Sequence, residues 1–221
     1  MSGKKAAAII AIFILAVLAC MFFFGGNIKQ YVVRQGAIDQ INKSLEMSLN
    51  LKSGNLETEI QEGSYYPKDA PREIQTTFEV DKPNKDKNTR NINFDVVFTY
   101  ASGQKDVSNI TNYEGLYLNI YYPFSRYNKI NEETAKSVEV NKTAKGKEYI
   151  IYYKDSHLSR RMEWEYCKVQ SDYEYFLIDK NDVILQYISE TRFKQKDERA
   201  PDWVDGKSYL KVELKDYTLV K

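Results

Sequence analysis

The chain has 221 residues, which suits one domain or one domain with an appended segment. Its 32 Lys and Arg residues against 31 Asp and Glu leave a formal net charge of +1, so it lacks the basic surplus that nucleic-acid binding needs. The 10 glycines and 5 prolines are too few for a Gly/Pro-rich disordered chain. The single histidine, His157, excludes His-rich metal sites.

An uncharged apolar run occupies residues 6–24. As a helix with a rise of about 1.5 Å per residue, the run comes close to the roughly 30 Å of bilayer hydrocarbon. Lys4 and Lys5 precede it, and the bias of positive charge toward the cytoplasm places the amino terminus there. We therefore predict a cytoplasmic tail at residues 1–5 and a single-pass transmembrane anchor at residues 6–26, through which the protein binds the membrane.

Two alternatives to an uncleaved anchor stay open. The segment Val-Leu-Ala-Cys at residues 17–20 resembles the bacterial lipobox, which implies lipidation at Cys20, although Leu18 stands where that motif has a small residue. The other alternative is ordinary signal-peptide cleavage, although the apolar run is longer than the typical core of about 7–15 residues. Every one of these outcomes places residues 27–221 outside the cytoplasm, in the periplasm or the extracellular space.

An amphipathic juxtamembrane helix is predicted for residues 27–52. Its apolar residues recur at helical spacing: Tyr31, Ile38, Ile41, Leu45 and Leu49. Ser53 and Gly54 predict where the helix ends. We expect the stripe to pack on the domain that follows, and a seam for a partner helix or for self-association is the alternative.

Alternation with a period of two residues dominates the rest of the chain and predicts short strands. These strands lie at 57–62, 74–80, 92–100, 117–122, 137–141, 149–153, 162–166, 173–178, 183–188 and 210–215. One solvent-facing side per strand is typical of antiparallel sheets, because parallel strands are buried on both faces. The predicted fold is therefore mainly β: residues 53–221 are expected to form an extracytoplasmic antiparallel β-sandwich or a partly closed β-barrel.

Candidate catalytic residues cluster near the middle of the chain, but none makes a strong motif. Glu163 and Glu165 lie on one face of a predicted strand, and paired carboxylates can act in glycoside hydrolysis. That face is the solvent-facing one, because Trp164 lies on the other. His157 could act as a base for Cys167, but it lies in a polar connection that we interpret as an exposed turn. We predict no catalytic, cofactor-binding or metal-binding site and no cofactor.

Tyrosine is in excess, with 18 copies. It suits half-buried sheet surfaces, where the ring is covered and the hydroxyl is solvated, and it equally suits binding surfaces. Both interpretations stay open. We predict an interaction patch where a strand ends at Pro123, formed by Tyr121, Tyr122, Phe124, Arg126 and Tyr127.

The layout of short tail, span, helix and β-domain is similar to that of bacterial envelope assembly proteins. We predict a non-enzymatic, membrane-anchored protein whose β-domain acts as a binding or scaffolding module in the cell envelope. Its expected partner is an envelope protein, with homo-oligomerisation as a further option and nucleic acid excluded. The first alternative is an anchored sensor or effector that binds a small ligand in the β-barrel or sandwich. A lipoprotein and a carboxylate-dependent hydrolase are favoured less.

Overall fold

A computed structural model describes residues 30–62, 71–82, 91–114, 130, 134–153, 167–196 and 203–219. These residues contain one α-helix, α1 (residues 30–47), and one turn of 3-10 helix, Ser48–Asn50. The strands are β1 (Leu51–Glu62), β2 (Pro71–Lys82), β3 (Asn91–Tyr100), β4 (Lys105–Glu114), β5 (Ala135–Lys142), β6 (Lys147–Tyr153), β7 (Cys167–Ile178), β8 (Ile184–Lys196) and β9 (Trp203–Leu219).

All nine of these strands belong to one antiparallel sheet with the order β4-β3-β2-β1-β9-β8-β7-β6-β5. The chain therefore makes two meanders, β1 to β4 and β5 to β9, which join where β1 pairs with β9. Residues 115–134 connect the two edge strands, β4 and β5.

The prediction of a mainly β, antiparallel fold is confirmed. The sheet is not closed into a barrel, because β4 and β5 each pair on one side only within the described part of the chain. One continuous sheet also takes the place of the two separate layers that a sandwich would have. It is sandwich-like only in that residues from both of its halves enter one core.

Eight of the nine strands, all except β4, overlap a predicted strand. The strand β4 was not predicted, because it is an edge strand with few apolar residues. Its Val107 points to solvent and is 78% exposed, while Ile110 packs against the core. The predicted strands at 117–122 and 162–166 lie outside the described residues.

The apolar stripe of α1 packs on one face of the sheet, as predicted. Ile38, Ile41 and Leu45 are each at most 6% exposed and belong to the same core as the sheet residues. Tyr31 does not follow the prediction, since it is 53% exposed. The buried stripe therefore starts about two helical turns later than expected.

The end of the helix also differs from the prediction, because β1 already begins at Leu51. Gly54 lies within that strand, and a Cβ atom added there would come within 2.9 Å of Leu214 Cδ1 and 3.1 Å of Phe78 Cε1. Gly54 therefore permits close packing inside the sheet and does not terminate a helix. The predicted end of the helix at residue 52 is corrected to this extent, while its predicted start at residues 27–29 lies outside the described residues. The predicted domain boundary at residue 53 remains a prediction.

The direction of α1 distinguishes the two ends of the sheet. Arg34 Nη1 donates a hydrogen bond to Ala135 O at 3.4 Å, at the start of β5. Lys43 Nζ, about two and a half turns later, lies 2.7 Å from Asp182 Oδ2 between β7 and β8. We call the end that carries the β5–β6 and β7–β8 turns the turn end. The helix thus runs toward the turn end.

No helix among the described residues is long and apolar enough to cross a membrane. The predicted tail and anchor, residues 1–26, lie outside those residues, as does Cys20. The anchor, the lipidation alternative and the cleavage alternative therefore all remain predictions.

Candidate functional site

An open groove of about 830 Å³ lies at the turn end of the sheet. Its walls come from α1, the β5–β6 turn, the β7–β8 turn and the last part of β9. These segments are distant in sequence. They meet because antiparallel pairing brings the β5–β6 and β7–β8 hairpins to one end of the sheet.

The β5–β6 turn is shaped by a glycine. Thr143 N donates to Gly146 O at 2.8 Å, and Gly146 N donates to Thr143 Oγ1 at 3.2 Å. Gly146 has φ +156°, and a Cβ atom there would lie 2.0 Å from Ile178 O. Because the obstacle is backbone, only glycine lets the turn lie this close to the end of β7.

The β7–β8 turn is held by Asp179. Its Oδ1 accepts hydrogen bonds from Asn181 N at 2.8 Å and from Val183 N at 2.9 Å, and its Oδ2 accepts one from Tyr217 Oη at 2.5 Å. Burial, followed by the hydrogen bond to Asp179, raises the pKa of the Tyr217 phenol. The carboxylate therefore fixes the turn and attaches β9 to it.

The second carboxylate of the groove, Asp182, attaches α1 to the sheet. It accepts hydrogen bonds from Gln40 Nε2 at 2.8 Å and from Lys43 Nζ at 2.7 Å. The hydrogen bond from Lys43 lowers the pKa of Asp182, and the bond from Gln40 acts in the same direction. Asp182 has φ +62°, a left-handed conformation that a short polar side chain tolerates. Both aspartates of the groove are thus engaged in holding the fold.

Four lysines line the same groove: Lys142, Lys145, Lys147 and Lys180. All four are exposed, and none forms an ion pair with a carboxylate of the described chain. The described lining of the groove therefore carries four cationic side chains against two carboxylates. The protein as a whole carries a formal charge of only +1.

The floor of the groove is apolar and aromatic. Ile178 and Tyr149 are each 3% exposed, and Leu185 and Tyr217 are partly exposed. Burial, with a smaller effect from Asp182, raises the pKa of the Tyr149 phenol. The groove can therefore offer positive charge at its rim and apolar contact at its base. Its described lining contains no histidine, cysteine or serine.

A second polar cluster is buried in the core. Glu174 on β7 is 0% exposed, and its two carboxylate oxygens accept hydrogen bonds from Tyr153 Oη and, at 2.5 Å, from Tyr187 Oη. Asp172, two residues earlier and 5% exposed, accepts a hydrogen bond from Thr191 Oγ1 at 3.0 Å. Both carboxylates face the core and have protein donors, which is the arrangement that buried polar groups require. We assign this cluster to stability.

Tyrosine hydroxyls also bind carboxylates on the outer face of the sheet. Tyr173 Oη donates to Glu190 Oε2 at 3.3 Å, and Glu190 also forms ion pairs with Arg192 at 2.7 Å and Lys207 at 3.1 Å. Burial, together with Glu190, raises the pKa of Tyr173 to about 12. Burial of Glu190 opposes its ionisation, but hydrogen bonds from the two cations lower its pKa overall. These contacts support the structural interpretation of part of the tyrosine excess.

Most of the candidate site residues that were predicted from the sequence lie outside the part of the chain that the structure describes. The interaction patch Tyr121, Tyr122, Phe124, Arg126 and Tyr127 lies outside the described residues, as do His157, Glu163 and Glu165. Cys167 is the first residue of β7. Within the described ranges, no group of three or more His, Cys, Asp or Glu residues is arranged to hold a metal ion.

No protein-family model and no curated protein matches this chain. Among solved structures, the crystal structure of LprF from Mycobacterium bovis is similar at 6% sequence identity, with a TM-score of 0.39. The similarity covers 83% of this chain and 93% of that chain. A likeness at this level identifies neither a shared family nor a shared function.

Proposed function

We propose that the protein is a single-pass, membrane-anchored binding module that acts without catalysis in a cell-envelope assembly. The observation that carries this proposal is the groove at the turn end. Its four lysines form no ion pair among the described residues, although the charge of Lys147 acts on Asp182, and both of its aspartates hold the fold together. Charged side chains on turns of a rigid sheet, not used for folding, are typical of a binding surface.

The direction of α1 supports an outward-facing groove. The predicted anchor precedes the helix, so the start of α1 is its membrane-proximal end. Tyr31, Val32 and Val33 are 53%, 60% and 44% exposed there, and apolar and aromatic side chains are favoured at a membrane interface. From residue 31 to Lys43 the helix rises about 18 Å toward the groove. The groove would then face the envelope, and the tether would raise its effective concentration near envelope partners.

Photo-crosslinking in intact cells tests the proposal. A photoreactive amino acid at Ala144, in the groove, is compared with one at Ser102, an exposed residue of the β3–β4 turn at the opposite end of the sheet. We expect one adduct of defined mass from position 144 and none from position 102. An adduct of twice the protein's mass would identify the partner as a second copy. No adduct from position 144, or the same products from both positions, would contradict a specific binding face.

The membrane arrangement needs its own test. Protease added to sealed cells should digest the β-domain together with known outward-facing controls, because the predicted anchor places residues 27–221 outside the cytoplasm. Digestion of the controls with the domain left intact in sealed cells, but not in lysed cells, would reject the outward orientation. This result does not depend on the identity of the partner.

A sensor of a small ligand is the second candidate function. The groove volume of about 830 Å³ falls in the range of about 300–1,000 Å³ that is usual for small-molecule sites. Tyr149 and Tyr217 would supply the apolar base of such a site. Native mass spectrometry of the full chain from detergent extracts would favour the sensor if it detected a bound small molecule. It would favour the binding module if it detected a protein partner.

A further inference from the structure

We propose that the groove at the turn end binds a phosphate-bearing polyanion, a ligand with several phosphate groups in succession. This inference rests on the proposed function, since it names the ligand of the same groove.

The cations of the groove are of a type that binds phosphate. All the cationic side chains of the groove lining are lysines, and no arginine is among them. Lysine ammonium groups act as compact point charges that bind phosphate oxygens well. Asp179 and Asp182 accept hydrogen bonds from protein donors, and the four lysines outnumber these two carboxylates in the groove lining.

The arrangement of the lysines favours more than one phosphate. Lys142, Lys145 and Lys147 line the groove on the β5–β6 side, and Lys180 lines it from the β7–β8 turn. A groove of about 830 Å³ is much larger than a single phosphate ion. A ligand with successive phosphate groups would meet lysines of both turns, and each phosphate that is neutralised releases condensed counterions.

The groove is a poor match for two other classes of polyanion. Single-stranded nucleic acid binds through bases stacked on exposed aromatic rings, but Tyr149 is 3% exposed and Tyr217 is hydrogen-bonded to Asp179. Headgroups of the protein's own bilayer would lie at the opposite end of α1, if the anchor precedes the helix as predicted. Acidic peptides, nucleic acid and lipid headgroups therefore become outcomes that the experiment distinguishes.

The test measures binding of a short inorganic polyphosphate to the full chain in non-ionic detergent, by titration calorimetry at several salt concentrations. The double variant Lys145→Ala, Lys180→Ala removes one lysine from each turn. The matched control, Lys105→Ala with Lys136→Ala, removes two exposed lysines from the opposite end of the sheet. Thermal unfolding of both double variants verifies that they are folded.

We expect the groove variant to lose on the order of tenfold in affinity and the control to change by less than twofold. The slope of log affinity against log salt should fall by about one for each groove lysine removed. Equal losses in the two double variants, or no binding by the parent chain, would overturn the proposal. Tighter binding of poly-glutamate, of a single-stranded oligonucleotide or of phosphatidylglycerol vesicles than of polyphosphate would overturn it as well.

Failure of this inference can be separated from failure of the proposed function. If polyphosphate does not bind but position 144 still gives its specific adduct in cells, the ligand class is wrong and the binding module stands. If both experiments fail, the groove is not the binding face.

Discussion

The two halves of the sheet bury different side chains on the same face. The strands β2 and β3, in what we call the apolar half (β1–β4), direct mainly aliphatic and aromatic residues into the core: Ile74, Phe78, Val80, Ile92, Phe94 and Val96. The strands β7 and β8, in what we call the polar half (β5–β8), also bury Asp172, Glu174 and Thr191. The first half is held by non-directional packing, and the second adds hydrogen bonds that require one geometry.

The described side-chain hydrogen bonds that attach α1 to the sheet are made with the polar half and with the connection that leads into it. Gln40 and Lys43 bond to Asp182, while Arg34 reaches the start of β5. Asn42 exchanges two hydrogen bonds with the backbone of Ile130, at 2.8 and 3.2 Å, in the connection that leads to β5. Directional contacts thus position α1 and the groove together, and the apolar half supplies bulk stability.

The largest change in stability is expected from removing the buried carboxylate of the polar half. Glu174→Ala should lower the free energy of unfolding by about 2–5 kcal/mol, because it creates a cavity and leaves two buried phenol hydroxyls without their acceptor. Urea denaturation of the full chain in detergent micelles measures the loss. Replacing all three partners, with Glu174→Leu, Tyr153→Phe and Tyr187→Phe, should recover much of it. An unchanged stability of the single variant would contradict our account of the polar half.

Alanine substitutions at two glycines, one in each half of the sheet, test how rigid the surroundings of each glycine are. Gly146→Ala should cost about 1–3 kcal/mol, because the new Cβ atom would meet the backbone oxygen of Ile178 at 2.0 Å. Gly54→Ala, in β1, should cost less, because the ends of the Leu214 and Phe78 side chains can move. The same denaturation experiment ranks them. A larger loss in the free energy of unfolding for Gly54→Ala would contradict this, because it would mean that the side chains around Gly54 adjust less than the backbone around Gly146.

A buried hydroxyl of the apolar half should behave in the opposite way to Glu174. Thr76 is 2% exposed, and its Oγ1 has no hydrogen-bond partner in the described structure. Thr76→Val keeps the shape and removes the desolvation penalty of the hydroxyl, so it should raise the free energy of unfolding by about 1 kcal/mol. Thr191→Val, in the polar half, should instead lower it, because Asp172 would lose a donor. If Thr76→Val and Thr191→Val both lowered the free energy of unfolding, the expected difference between the two buried hydroxyls would be contradicted.

The smallest expected effect is at the contact between helix and turn. Asp182→Asn should lower the free energy of unfolding at pH 7 by about 0.5 kcal/mol, because Lys43 is largely exposed. The pKa of Asp182 is lowered in the folded state, so its contribution is present above the ordinary aspartate pKa of about 4. It is lost as pH falls through the folded-state pKa. The difference between parent and variant should therefore shrink below about pH 4. A difference that stays constant down to pH 2 would exclude this ionisation as its source.

The sequence predicted strands better than it predicted what they bury. Alternation located β6, where Tyr149, Ile151 and Tyr153 all face the core. On β7 the same rule favours Tyr173 and Tyr175 as the buried side, yet the structure buries Asp172 and Glu174, which alternate with them. Phenols can stay half-buried on the outer face because their hydroxyls bind Glu190 and Glu148. Hydrophobicity alone does not distinguish these two arrangements.

The groove could not be predicted from local patterns. Lys142, Lys145 and Lys147 lie between the strands predicted at 137–141 and 149–153, and Lys180 lies between those predicted at 173–178 and 183–188. All four of these strands overlap strands of the structure. What brings them together is the position of β6 next to β7, together with the docking of α1 at Asp182. Strand order and helix placement are long-range properties, so lysines that look like ordinary solvated residues in the sequence converge only in the folded chain.

The position of β9 has a consequence for how the domain is made. It is the last described strand, yet it lies between β1 and β8 at the middle of the sheet. When the chain leaves a ribosome or a secretion channel amino end first, β1 and β8 each therefore keep one edge without backbone hydrogen-bond partners until residues 203–219 emerge. Pairing between strands that are distant in sequence forms slowly, and the unpaired strand edges are prone to aggregation until it forms. Newly made copies would accordingly need chaperone protection during synthesis, in proportion to the delay before this segment arrives.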